Sequence, residues 1–214
     1  MSLRIEIDGS WSAEDFARMF ASVNDIYGVF ALVKVERDSA EEIERYFREF
    51  EEYYPFPLRR LPRRLRGRFA LQQSMFGVSL TKLIDGANLA RSFESLENDE
   101  RLMVRRCTYA SPGVTDFTGL GQALGHLKDV IIKLIDVKAA SRERNIRNQI
   151  LEEELQAAAL KNVREKIAIL KELGYTEADL RSTVAALSPS VLTLNKFVDR
   201  GMITSAQIQD NNHD

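Results

Sequence analysis

Apolar residues open the chain at every second position. Leu3, Ile5 and Ile7 alternate with Arg4, Glu6 and Asp8, the period of a half-buried strand, and Asp8-Gly9 predicts where it ends. Ser12 and Asp15 then suit a helix N-terminus, because the hydroxyl accepts an orphan amide while the carboxylate sits at the positive helix end. The helix predicted from Ala13 to Val35 carries Phe16, Phe20, Val23, Tyr27 and Phe30 on one stripe, at spacings of four and three, as a core-facing helix does. Ser39 with Glu42 predicts a second helix start. That helix carries Ile43, Tyr46, Phe47 and Phe50 and stops at Tyr53-Tyr54-Pro55, so the two read as a helical hairpin.

The pattern breaks at residues 55–68, PFPLRRLPRRLRGR, whose prolines suit neither a helix interior nor a central strand, so a linker or exposed loop is expected. Phe69 to Leu96 returns to helical spacing, weakened at Gly77 and Gly86. Leu102 to Tyr109 is the second strand candidate; its expected partner is the first strand, since a lone strand leaves its backbone unpaired, and Ser111-Pro112-Gly113 ends it. With Thr115 or Thr118 as cap, the next helix repeats Leu120, Leu124, Leu127, Ile131, Leu134 and Lys138, widened by Ala123 and Val130, opposite Gln122, His126, Asp129, Lys133 and Asp136. From Arg142 to Leu173, interspersed charges among Ile146, Ile150, Leu155, Ala159, Val163, Ile167 and Leu170 predict a long helix, open to continuing the preceding one. Gly174 ends it, Thr176 and Asp179 start another, Ser188-Pro189-Ser190 breaks that one, and Val191 to Val198 forms a last short helix.

These elements predict an α+β fold, predominantly α-helical: a small two-stranded sheet packed with helices, then a long helix and a C-terminal helical hairpin. The expected organisation is an α+β domain over 1–140 with the Arg/Pro-rich loop at 55–68, a helical part over 141–206, and a disordered tail over 207–214. At 214 residues and 44% hydrophobic content the chain can bury a core, which excludes global disorder. A net charge of −2 gives no overall attraction to polyanions, so any such attraction is local. One cysteine, Cys107, and no signal peptide at the start point to a reducing cytoplasm. No uninterrupted apolar run reaches the roughly 18 residues of a membrane-spanning helix. Leu120 to Val137 comes nearest, and Lys128, Asp129, Lys133 and Asp136 interrupt it.

Catalytic chemistry finds little support. His126 and His213 are the two histidines, so neither a histidine-based metal site nor a zinc cluster forms, and no metal ligand is assigned. Gly119-Leu120-Gly121 lacks the third glycine and the context of a dinucleotide loop, so no cofactor is assigned. Cys107 and His126 together read as unrelated residues, the cysteine as a small core side chain. No catalytic residue is assigned, and the chain is expected not to be an enzyme. Two features point to binding instead. Leu120, Gly121, Leu124, Gly125, Leu127, Ile131 and Leu134 form a stripe whose glycines, four apart, admit close approach of another helix. Arg59, Arg60, Arg63, Arg64, Arg66 and Arg68 form a guanidinium cluster suited to phosphates, or to the acidic residues that precede it.

The opening strand and aromatic helix, together with the later strand ending Tyr109-Ala110-Ser111-Pro112-Gly113 before an amphipathic helix, resemble a loosely defined group of uncharacterised bacterial proteins. The resemblance implies a bacterial origin and an accessory, non-enzymatic role, and it transfers no catalytic residue. The expected function is a protein-interaction or self-assembly module, its partner another copy or another protein. The alternatives are a nucleic-acid-binding accessory protein using the arginine loop, and a peripheral membrane protein using the 119–138 helix.

Overall fold

Ser12 and Asp15 form the capping box that their spacing predicts. Asp15 N donates to Ser12 Oγ at 3.0 Å, and Ser12 N donates to the Asp15 carboxylate at 3.0 Å. From this start a single helix, α1, runs from Ala13 to Phe50 in the computed structural model, which describes residues 1–50, 69–71, 78–80, 82–144 and 148–210. The second start expected at Ser39 does not occur, so there is no hairpin of two helices here. Ser39 Oγ instead donates to the Val35 carbonyl one turn back at 2.7 Å, a bond that competes with capping. The ion pairs Lys34–Asp38 and Arg37–Glu41 bridge the expected break at helical spacing.

The core face of α1 is as expected: Val23, Tyr27 and Phe30 are buried, and Phe16 and Phe20 pack against the core. Its stretch Ala13–Glu42 is long and apolar enough to cross a membrane by composition, and 61% of its most apolar 18-residue window is buried within the fold, as in a core helix.

The sheet holds four strands rather than two. Strand β1 (Ser2–Ile7) lies centrally, with Leu3, Ile5 and Ile7 completely buried. Two short strands, β2 (Phe69–Leu71) and β3 (Val78–Leu80), pair separately, where a helix was expected. The short helix α2 (Leu89–Glu94) follows, capped by Asn88, and then β4 (Met103–Thr108) and β5 (Gly113–Thr118). The last strand is β6 (Ile203–Gln209). The order is β4-β5-β1-β6, with every neighbouring pair antiparallel. Strand β4 therefore does not pair with β1, as its sequence suggested. The Ser111-Pro112-Gly113 break is a hairpin turn that returns the chain as β5, and Thr115 and Thr118 belong to that strand rather than to a helix cap. Gly113 is required by close approach, since a Cβ there would meet the Thr108 carbonyl oxygen at 2.5 Å.

Helices α3 (Gly121–Arg144) and α4 (Asn148–Ile167) are separate and pack side by side, joined by Lys166 to Asp129 at 2.7 Å. Lys166 lies near the end of α4 and Asp129 near the start of α3, so the helices run antiparallel rather than as one rod. A 3-10 turn (Ala168–Lys171) follows, and the chain then turns at Gly174, whose φ of 84° is open to glycine at little cost. Helix α5 (Glu177–Asp199) then runs straight through Pro189, where a break was expected. Burial of Leu187, Val191 and Leu194 on either side, and a 2.7 Å bond from Ser190 Oγ to Asp25, outweigh the one backbone bond that proline removes. Gln207–Gln209, expected in a disordered tail, extend β6 along β1. One hydrophobic core draws on β1, α1, β5, α3, α4, α5 and β6, so the C-terminal segments complete the same core as the first 140 residues.

Thr176 and Asp179 form the second predicted capping box. The Asp179 carboxyl is pulled from 3.8 to about 2, first by its hydrogen bond from Lys82 and then by the Thr176 amide. Because the folded value is the lower one, this contribution to stability is complete above about pH 4 and is lost as the pH falls through about 2. Urea unfolding across that window is expected to show a flatter pH dependence in Asp179→Asn than in the parent; equal slopes would contradict it.

Candidate interaction edge

The stripe expected to meet a partner helix meets its own chain. Leu124, Leu127, Ile131 and Leu134 are completely buried, and Leu120 packs against the same core. Gly121 lies beside Met1, whose sulfur is 2.9 Å from where a Cβ would stand, while Gly125 borders open space within 4 Å. The stripe is therefore occupied by α1, α4, α5 and the sheet. Arg59, Arg60, Arg63, Arg64, Arg66 and Arg68 lie outside the described residues.

His126 is half-buried against Phe30, ring centroids 5.3 Å apart, and burial holds its pKa below the ordinary value. Cys107, expected in the core, is exposed on β4 and accepts a weak 3.7 Å bond from Thr115. The two residues form no common site, and among the described residues no group of His, Cys, Asp and Glu could hold a metal ion.

A different surface stands out. Met103, Val104 and Tyr109, at 58%, 48% and 59% exposure, are three of the four exposed large hydrophobic residues among the described residues, and all lie on β4 or just after it. Strand β4 is the outermost strand of its sheet, and among the described residues none pairs with its outer side. An edge of this kind presents a row of unpaired backbone donors and acceptors, the template for adding another strand.

Both ends of β4 are tied down. Before its start, Tyr27 Oη donates to the Glu100 carbonyl at 2.8 Å and accepts from Leu120 N at 2.7 Å, and burial pushes the phenol up to about 12. Gly119 makes room for that ring, since a Cβ there would stand 2.3 Å from the hydroxyl oxygen. Past its end, Tyr109 accepts from Trp11 N at 3.3 Å and packs edge-on to Phe16 at 5.7 Å. Asp8 accepts bonds from Ser111 Oγ and from Gly9 N, which hold its carboxyl below the usual carboxylate range, the serine contributing more. A groove of about 290 Å³ adjoins the start of the strand, lined by apolar residues such as Phe93, Leu102 and Met103 and also by Asn24, Glu94 and Arg101.

Sequence reasoning found this strand but not its role. The available signal was the adjacent pair Arg105-Arg106, since two successive charges suit an exposed edge strand and not a buried one. Comparison with protein-family models, curated proteins and solved structures gives no match.

Proposed function

We propose that this chain is a non-enzymatic protein-interaction module whose docking element is the outer edge of β4. The observation that carries the reading is that exposed Met103 and Val104, with Tyr109 just beyond, lie on a strand whose outer edge is unpaired among the described residues. Anchoring at both ends supports it, because a strand already held in shape loses little conformational entropy when another strand docks. The mode is sheet extension: backbone bonds supply affinity, and the side chains of β4 select the partner.

Amide hydrogen exchange tests this. An excess of an eight-residue strand peptide alternating valine with glutamate, threonine or lysine is expected to slow exchange of the amides from Met103 to Thr108. Val104→Lys, at an exposed position, is expected to abolish that slowing while changing stability by no more than about 0.5 kcal/mol. If none of the three peptides protected β4, the edge reading would fall.

A further inference from the structure

Sheet register carries the reading of β4 one step further, to the chemistry of what docks there. Two rows of side chains cross the sheet and stop at β4. The apolar row runs Ile208, Leu3, Phe117, Val104, each opposite the next on neighbouring strands. The β4–β5 register shifts between Val104 and Arg106, so that Val104 stands opposite Phe117 and Arg106, two residues on, opposite the adjacent Asp116; the polar row of the other face therefore runs Gln207, Arg4, Asp116, Arg106. Its charges alternate, positive on β1, negative on β5 and positive on β4.

Asp116 has only 6% exposure and is committed to Arg4, which reaches it in two-pronged fashion at 2.8 and 2.9 Å. One carboxylate balances one guanidinium, so the charge of Arg106 is left over. Arg106 donates to Thr108 at 3.1 Å, and among the described residues it has no ion pair. Residues 101–110 hold Arg101, Arg105 and Arg106 and no acid. Opposite charges facing each other across strands stabilise pairing and like charges oppose it.

We infer that β4 accepts an acidic extended segment of a partner protein, with a carboxylate opposite Arg106 and an apolar side chain opposite Val104. This rests on the edge reading above and specifies its partner. A second copy of this chain fits worse. Antiparallel pairing of β4 with itself in the registers of greatest overlap sets Arg105 against Arg106, or one of them against its own counterpart.

The test uses the full chain and the three strand peptides, carrying a fluorophore and read by anisotropy. At low salt the valine–glutamate peptide is expected to bind at least about tenfold more tightly than the valine–lysine peptide, with valine–threonine between them, and the gap is expected to narrow as salt rises. Arg105→Glu with Arg106→Glu should reverse the order, and Arg105→Gln with Arg106→Gln should erase it. Circular dichroism would check that both variants stay folded. Equal binding of the three peptides with β4 protected would overturn the acidic partner and leave the edge reading standing. Failure of all three would overturn both. A dimer of the chain dispersed by Val104→Lys would overturn the acidic partner in favour of self-pairing.

Discussion

Leu124→Asp and Ile131→Asp are each expected to abolish folding rather than separate subunits. Both side chains are completely buried in a core built from this chain alone, so an aspartate there loses apolar burial, leaves a cavity and brings an unpaired carboxylate into it. Together these terms exceed about 4 kcal/mol, against a total of roughly 5–15 kcal/mol for a domain. The expected result is loss of helical circular dichroism and of a cooperative urea transition. Lys133→Asp, on the exposed side of the same helix, is the control and is expected to change stability by no more than about 0.5 kcal/mol. A folded Leu124→Asp protein of smaller mass would mean instead that the stripe is a subunit interface.

The second large effect is expected at Glu36, a carboxylate with 2% exposure inside the fold. It accepts a 2.6 Å hydrogen bond from the Tyr175 hydroxyl and another from the Leu83 amide. Tyr175 in turn accepts from Ile84 N at 3.0 Å, so this node ties α1, the approach to α5 and the segment at 83–84 together. Burial, followed by the bond to Glu36, raises the Tyr175 pKa and keeps its hydroxyl a donor far into the alkaline range. Glu36→Ala leaves two donors without their acceptor, at roughly 1–3 kcal/mol each, so a loss of about 2–4 kcal/mol is expected. Tyr175→Phe keeps the ring and removes one of those bonds, and about half that loss is expected. Urea unfolding measures both, and faster exchange of the Leu83 and Ile84 amides would locate the effect. A change within about 0.5 kcal/mol in Glu36→Ala would show that the node does not hold these segments.

Local chemistry made several elements legible in advance. The alternation of Leu3, Ile5 and Ile7 marks β1, the Ser12/Asp15 and Thr176/Asp179 pairs mark two helix starts, and Gly174 marks a stop. Each depends on residues within one or two turns of each other. The stripe on α3 is legible as an apolar face that admits another helix, but not which helices cover it, because periodicity identifies a face and not its neighbours. Ser39 and Pro189 were read as boundaries on local preference, and in both places packing and side-chain bonds of the surrounding helix outweighed it. Gly113–Thr118 and Ile203–Gln209 gave weak strand signals, since a polar strand is held by its neighbours' backbones rather than by its own pattern.

The candidate site belongs to that second kind. Sequence alone determined that Leu102–Tyr109 forms a strand, that it carries adjacent arginines, and that the chain holds neither a histidine-rich nor a cysteine-rich metal motif. Tertiary structure alone decided that β5 takes the place beside β1, which leaves β4 at the edge with Val104 and Arg106 ending two rows of side chains. The reason is physical: a strand's own pattern records which face is buried, whereas its position in a sheet is set by backbone bonds to strands far away in the chain, and those bonds carry almost no side-chain signature.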